Sequence, residues 1–486
     1  MPSLRPVLFI VSILLLALAA AMLIPAGVDG YHGNPDWRVF LASSGFTGVC
    51  GGLLFLATRC RLHGGLSLRQ AFLLTPLSWC ATAAFAAVPF QFCHFPDLSL
   101  NYANAFFETM SGLTTTGATV LVGLDATPEG ILLWRALLQW LGGIGIVAVA
   151  IAVLPALRVG GMQLFRTESS DRSEKVLPRA QQIAKAIGGV YAGLTVLCGL
   201  CYWAAGMSAF EAVVHALTSL STGGFSTSDS SFAHFENPVL HWLGTLFMLA
   251  GGLPFVLYVR TLTGQYDALW RDSQVRSLLA FLAVVILSLS VWLTWRSDYA
   301  FPDALRLVAF NVVSVVTTTG YALTDYSLWG NLAVAVFFGL TFIGGCTGST
   351  SGGIKVFRFE VMAILLRTHF RHLLYPRGVF PRQYGNRVLD DDVLGSVIVF
   401  CALFFTAYSV LTIALMAFGL DFITSASASV TALANVGPGL GAVIGPSGTF
   451  APLPDAAKWL LSFGMLLGRL ELFTVLILFM PQFWRN

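Results

Sequence analysis

One short stretch, Leu113-Thr114-Thr115-Thr116-Gly117-Ala118, constrains this chain more than any other because it comes back. Thr317-Thr318-Thr319-Gly320 repeats it, Ser221-Thr222-Gly223-Gly224 is a looser copy, and Ala434-Asn435-Val436-Gly437 is the loosest. The closing glycines fall at 117, 224, 320 and 437. A period of roughly a hundred residues marks an internal repeat, so the chain should fold as similar units set side by side. Each copy follows a short segment of mild helix character and precedes a long apolar run.

The apolar runs say where those units sit. A helix that crosses a bilayer needs about 20 apolar residues. The runs 7–25, 40–58, 70–90, 131–156, 182–205, 237–259, 277–295, 330–366, 394–419 and 456–481 are candidates. Only 10% of the 486 residues are charged, far below the roughly 25% of a soluble domain. This composition belongs to an integral membrane protein, and a net charge of +3 gives no reason to expect nucleic acid. The first run has Arg5 before it and Leu18-Ala19-Ala20-Ala21 within it, as a secretory signal would. It continues to Ile24 without a clear cleavage site and is expected to stay as a helix.

Basic residues set the orientation, because cytoplasmic connections carry an excess of Lys and Arg. Arg5, the 59–69 connection (Arg59, Arg61, Arg69), the 157–180 connection (Arg158, Arg166, Arg172, Lys175, Arg179) and the 260–276 connection (Arg260, Arg271, Arg276) share one side. The 367–393 connection (Arg367, Arg371, Arg377, Arg382, Arg387) and Arg485 join them. Ten alternating spans put all of these in the cytoplasm with both termini, and all four Thr/Gly segments then open from outside.

Between paired spans lie segments of about 102–113, 208–220, 303–316 and 422–433, too short to cross at 1.5 Å per residue. Each is expected to enter the membrane as a half-helix and return through its Thr/Gly segment. Irregular backbone is tolerated at that depth only where it lines a cavity. The expected fold class is therefore an all-α membrane protein. It has four tandem helix–half-helix–filter–helix repeats around a pseudo-fourfold pore, with two extra N-terminal helices. The divisions fall at 1–66, 67–160, 161–262, 263–390 and 391–486, and no stretch is long enough for a soluble domain. The stretch from Arg166 to 185 reads as a solvated turn and helix start.

Such segments suit a dehydrated cation. Glycine reaches positive φ without a Cβ clash, so successive carbonyls can turn the same way. A ring of carbonyls can replace an ion's water, Thr hydroxyls can add ligands, and half-helix C-termini aim negative dipole ends at the axis. The expected ligands are Thr114, Thr115, Thr116 and Gly117; Ser221, Thr222, Gly223 and Gly224; Thr317, Thr318, Thr319 and Gly320; and Ala434, Asn435, Val436 and Gly437. The fourth set lacks threonine, so fourfold symmetry is broken.

On these residues the chain resembles the Trk/Ktr/HKT superfamily of potassium uptake proteins, most closely the TrkH-type membrane subunit. The likeness runs through Thr115-Thr116-Gly117, Ser221-Thr222-Gly223-Gly224-Phe225, Thr318-Thr319-Gly320-Tyr321 and Asn435-Val436-Gly437-Pro438-Gly439. Thr167-Glu168-Ser169-Ser170, Lys175-Val176-Leu177-Pro178-Arg179 and the two extra helices extend it. The resemblance implies potassium preference through Gly117, where Ser would go with sodium. It also implies a homodimer with one pore per protomer in a bacterial inner membrane, gated by a cytosolic nucleotide-binding ring of the TrkA type. The loops at 157–180 and 367–393 would be its dock. Potassium is the only bound species expected, with no covalent cofactor and no enzyme activity.

The run 330–366 would make a helix of about 55 Å in a hydrocarbon core near 30 Å. Its middle reads Gly344-Gly345-Cys346-Thr347-Gly348-Ser349-Thr350-Ser351-Gly352-Gly353. Each glycine costs about 1 kcal/mol relative to Ala in a helix, so a break is expected there. Gly344, Gly348 and Gly352 could also form a close-packing face. A phosphate loop is disfavoured because Ile354 stands where Lys is required. In the family resembled, this loop obstructs the path and moves on opening. Arg469 lies mid-span near Glu471, and two such positions do not face each other on a helix. It is read either as an internal ion-pair partner or as a charge facing the pore, and the family has a matching arginine. Cys198 and Cys201 form a CxxC inside an apolar helix and read as packing residues. A proton- or sodium-coupled secondary transporter is the alternative. Coupling to protons needs titratable groups in the pathway. Glu108, Glu211 and His215 lie in or near the short helices, though nothing in the sequence places them on the path. An embedded hydrolase using His215 lacks a nucleophile at suitable spacing.

Overall fold

Helix follows helix through the computed structural model, which describes residues 4–60, 66–93, 101–152, 176–385 and 387–485. Of the connection expected at 157–180, residues 157–175, with Arg158, Arg166, Thr167–Ser170, Arg172 and Lys175, lie outside the described residues, as does Arg61. Helices α1 (Arg5–Tyr31), α2 (Trp37–Thr58) and α3 (Leu68–Ala86) come first, and then the short α4 (Tyr102–Leu113). There follow α5 (Glu129–Ala152), α6 (Val176–Ala204), short α7 (Ala209–Leu220), α8 (Pro238–Gly251) and α9 (Phe255–Leu262). The second half continues with α10 (Ser273–Arg296), short α11 (Phe301–Val316), α12 (Asn331–Leu340) and α13 (Val356–Leu374). It closes with α14 (Asp391–Ala417), short α15 (Phe422–Ala434), α16 (Asp455–Arg469) and α17 (Phe473–Leu476). Among the described residues the only strands are the pair Gln383–Tyr384 and Arg387–Val388.

Among the described residues seven helices are long and apolar enough to span a membrane, or nine with two bent pairs. The tenth run expected as a span, 330–366, is instead divided between the short apolar α12 and the more polar α13. Its break covers 341–355, around the glycine-rich decapeptide.

The short helices begin where capping residues stop the chain from extending. Asn101 accepts from the Asn104 N–H at 2.9 Å, Ser208 and Glu211 close a capping box, and Asp421 accepts from the Thr424 N–H at 3.1 Å. Bonds from the Thr424 side chain and N–H hold the exposed Asp421 carboxyl below its usual range. The α11 helix instead carries Pro302 in its first turn, where a missing N–H costs nothing. The N-terminal hairpin is tied within itself by Ser44 Oγ donating to Ala19 O at 2.6 Å, and to this framework by the Gly130 N–H donating to Asp29 at 2.8 Å.

Two runs expected to be straight are bent. The 237–259 run turns by 94° between α8 and α9, and 456–481 turns by 111° after α16. The first break is Gly252-Leu253-Pro254, where proline cannot continue the hydrogen-bond ladder. The second occurs at Glu471 (φ 62°) and Leu472 (φ 33°), left-handed residues without glycine or proline. Three helices that follow the Thr/Gly segments also press glycine onto a carbonyl at the end of a short helix. A Cβ at Gly142 or Gly468 would collide with Leu113 O or Leu433 O, and one at Gly251 would lie 2.9 Å from Leu220 O.

Candidate functional site

Each short helix ends in the same way. After the last turn, an N–H reaches back five residues: Thr116 to Ser111 O at 2.8 Å, Gly223 to Thr218 O at 2.9 Å, Thr319 to Ser314 O at 2.8 Å and Val436 to Thr431 O at 3.1 Å. The residue before each N–H is left-handed: Thr115 at φ 51°, Thr222 at 52°, Thr318 at 58° and Asn435 at 56°. The glycine after it is left-handed too: Gly117 at 82°, Gly224 at 78°, Gly320 at 86° and Gly437 at 107°. Positive φ is a genuine outlier for β-branched threonine and costs of order 1–3 kcal/mol. The surrounding bonds must impose it. Thr114 and Thr116 pair their hydroxyls at 2.8 Å, and Thr317 and Thr319 do the same at 2.8 Å. In the fourth copy Asn435 Nδ2 donates to Thr116 Oγ1 at 3.0 Å and to Met465 O at 3.0 Å.

These four ends meet. A Cβ built on Gly117 would collide with Gly223 O, and one on Gly224 with Thr319 O. On Gly320 it would collide with Val436 O, and on Gly437 it would lie 2.7 Å from Thr116 O. The sequence 117→223, 224→319, 320→436, 437→116 closes on itself, so copies one to four form a ring in chain order. The carbonyls in contact belong to equivalent residues, each just before its glycine. Thr114, Thr115, Thr116, Ser221, Thr222, Thr317, Thr318, Thr319 and Asn435 are fully buried there, with Ala434 and Val436 beside them.

Behind the ring the short helices brace the outgoing chain, a feature the sequence reading missed. Glu108 accepts from the Val120 N–H at 2.9 Å and pairs with Arg135 at 2.8 Å. Arg135 also donates to Ser226 O at 2.9 Å and stacks over Phe225, its guanidinium carbon 4.1 Å from the ring centroid. His215 meets Ser226 Oγ at 3.1 Å, Asn311 accepts from the Leu323 N–H at 3.2 Å, and Ser427 Oγ accepts from the Leu440 N–H at 3.1 Å. Glu108, His215 and Asn311 each stand nine residues before their glycine, a spacing that could have revealed them. Gln139 adds a clamp on the second copy: it donates to Gly223 O at 2.6 Å and accepts from the Phe225 N–H at 3.1 Å. Glu211 caps α7 instead, away from the ring.

The glycine-rich segment lies across the helical end of the ring. Thr350 Oγ1 reaches Leu220 O at 3.1 Å and Thr222 Oγ1 at 3.1 Å. Ser351 Oγ donates to Thr317 O at 2.7 Å, the Gly352 N–H donates to Thr318 Oγ1 at 2.7 Å, and a Cβ on Gly352 would collide with Ala434 O. The segment thus touches copies two, three and four. Its flanks are held by Gly344 N–H to Ile354 O at 2.7 Å, Val356 N–H to Gly345 O at 3.2 Å, and Thr347 N–H to Gln274 at 2.9 Å. Phe255 N–H to Gly348 O at 3.0 Å and Ser349 Oγ to Cys346 O at 2.6 Å complete the set. Gly353 is left-handed and packs on Gly344. Glycine at 344, 348 and 352 therefore serves a bent segment rather than a straight packing face.

Arg469 is buried and donates from Nη1 to Thr350 O at 2.7 Å and from Nη2 to Gly142 O at 3.4 Å. It does not pair with Glu471, which binds Arg358 instead. Lys355 donates to Ser351 O. A small cavity of about 20 Å³, room for roughly one water, lies among Ser351, Gly352, Lys355, Arg469 and Glu471.

Known proteins share this fold. The sequence pattern of the TrkH family, described as cation transport protein, matches residues 49–486. The chain is 51% identical over 482 residues to the Trk system potassium uptake protein TrkI of Halomonas elongata, covering 99% of this chain and 97% of that one. It is 37% identical to the Trk system potassium uptake protein TrkH of Escherichia coli, covering 99% of each. The crystal structure of the potassium transporter TrkH from Vibrio parahaemolyticus superposes with a TM-score of 0.91 at 33% identity, over 99% of this chain and 100% of that one.

Proposed function

This chain belongs to the TrkH family of cation transport proteins, and from that premise we propose that it takes up potassium through a channel-like pore contained in one chain. The observation that carries this reading is the closed cycle of glycine–carbonyl contacts at Gly117, Gly224, Gly320 and Gly437. Four equivalent segments closed into one ring supply the backbone from which a dehydrating filter for a monovalent cation is built. Four short helices ending at the ring add the negative ends of their dipoles.

The glycine-rich segment is the gate in this reading. It covers the helical end of the ring, and Arg469 holds it there through Thr350 O. A cation 5 Å from that guanidinium would be opposed by about 3 kcal/mol at an effective dielectric of 20. Flow then requires the segment and the charge to withdraw together. The membrane potential suffices as drive, at about 2.3 kcal/mol per charge per 100 mV, so ~150 mV supports accumulation of a few hundredfold.

Proton coupling is the weaker reading. Glu108 is committed to Arg135 and the Val120 N–H, and His215 to Ser226 and the Glu211 carbonyl. Neither faces the ring as a free relay. The relatives' place in a Trk system suits a homodimer in the inner membrane, both termini in the cytoplasm, docked to a nucleotide-binding ring of the TrkA type at its basic loops. Flux in proteoliposomes tests the core of the proposal: rubidium should enter well ahead of sodium, and equal entry or none would overturn it.

A further inference from the structure

We propose that the groove between α12 and α15 is a phospholipid site, with one acyl chain in the groove and the headgroup phosphate at Arg296. The groove is a cavity of about 330 Å³ lined by Val334, Phe338, Phe422, Ile423, Ala426 and Leu440. Its only polar groups are Asn331 at one end and Ser427 on its floor. Both helices begin at its mouth, and Leu332, Phe422 and Ile423 are half exposed there, at 49%, 63% and 56%.

The surroundings identify the occupant. Water gains nothing in so apolar a space, and a groove opening on the flank of membrane-spanning helices meets hydrocarbon. An acyl chain is the apolar molecule present there. Arg296, at the end of α10, supplies the complementary charge: its Nε lies 3.6 Å from a Cβ position on Gly330, the residue before Asn331. The guanidinium carbon sits 5.9 Å from the Trp292 ring centroid, and Trp295 beside it is 88% exposed. Arginine beside an exposed tryptophan and a half-buried one at a helix end is the composition of a headgroup interface.

The floor of the groove gives the lipid a role, which rests on the proposed filter. Ser427 and Leu440 form the fourth brace, the Leu440 N–H donating to Ser427 Oγ at 3.1 Å. The corresponding brace on the first copy is walled in by Arg135 and Phe225. The fourth has an acyl chain as its wall, so bilayer lipid supports one quarter of the ring.

The full chain in nanodiscs of phosphatidylethanolamine and phosphatidylglycerol, imaged by cryo-electron microscopy, tests this. A tubular density between Phe338 and Ile423, with headgroup density at Arg296, is expected. An empty groove, or a helix from a second copy seated in it, overturns the site. Ala335→Trp, which fills the groove from an exposed position, should remove that density and lower rubidium flux about fivefold, the low end of an allosteric coupling. Val284→Trp, on the lipid-facing side of α10, should change neither, and Arg296→Gln should lose the ordered headgroup alone. Lost density with unchanged flux defeats the supporting role. Lipid density in a wild-type chain that passes no rubidium defeats the proposed function and leaves the site standing.

Discussion

The first and fourth copies of the ring share a backbone and almost nothing else. Both pass through two left-handed residues and the same five-residue return bond. The first does so with threonine, paired hydroxyls and a buried Glu108–Arg135 ion pair behind it. The fourth uses Asn435, a residue that visits the left-handed region readily, and ties itself to its neighbour through Thr116 Oγ1. Position matters as well: Gly142 and Gly468 press on equivalent carbonyls, but the next residue is Gly143 in one copy and Arg469 in the other. The comparison teaches that ring closure fixes the path of the chain, while each copy finds its own chemistry to hold it.

Breaking the braces should separate the two copies most. Removing one partner of a buried ion pair costs ~3–5 kcal/mol, so Arg135→Leu should sharply lower the unfolding midpoint in detergent. Ser427→Ala should cost only about 1 kcal/mol, and equal losses would mean the braces are equivalent. Next in size is Arg469→Ala, which removes a barrier of about 3 kcal/mol and should raise basal rubidium flux at least about tenfold. Unchanged flux would show that the charge does not oppose ions. Asn435→Thr brings a β-branched residue to φ 56° and gives up both Nδ2 hydrogen bonds, and should destabilise by about 2–3 kcal/mol in the same unfolding assay. Gly117→Ser should lower the rubidium-to-sodium flux ratio about tenfold, equivalent to roughly 1.4 kcal/mol. Gly437→Ser shows whether the threonine-free copy discriminates as strongly. The smallest effect is Thr115→Asn, which should shift the unfolding midpoint slightly upward.

Much of this scaffold was legible because its signals are local. The short helices begin at Asn101, Ser208 and Asp421 caps and stop at Thr/Gly or Asn-Val-Gly segments, so the spans expected for them lie within two residues of those found. The break within 330–366 announced itself through five glycines in ten residues. What stayed hidden depends on partners far along the chain. Glu108 and Arg135 are 27 residues apart, and Arg358 and Glu471 are 113 apart. Their pairing exists only after the helices have packed. The bend at Glu471 and Leu472 has no glycine or proline of its own to mark it. The Gly252-Leu253-Pro254 bend did carry a signal, masked by the hydropathy of the residues around it.

A ring closed within a single polypeptide also changes what a mutation can do. In an assembly of four identical subunits every substitution is written four times, so a small alteration is amplified before selection can weigh it. Here each quarter can be edited alone. Residues such as Asn435, which would be strange as a fourfold motif, could therefore be introduced one at a time while three other quarters kept the passage working.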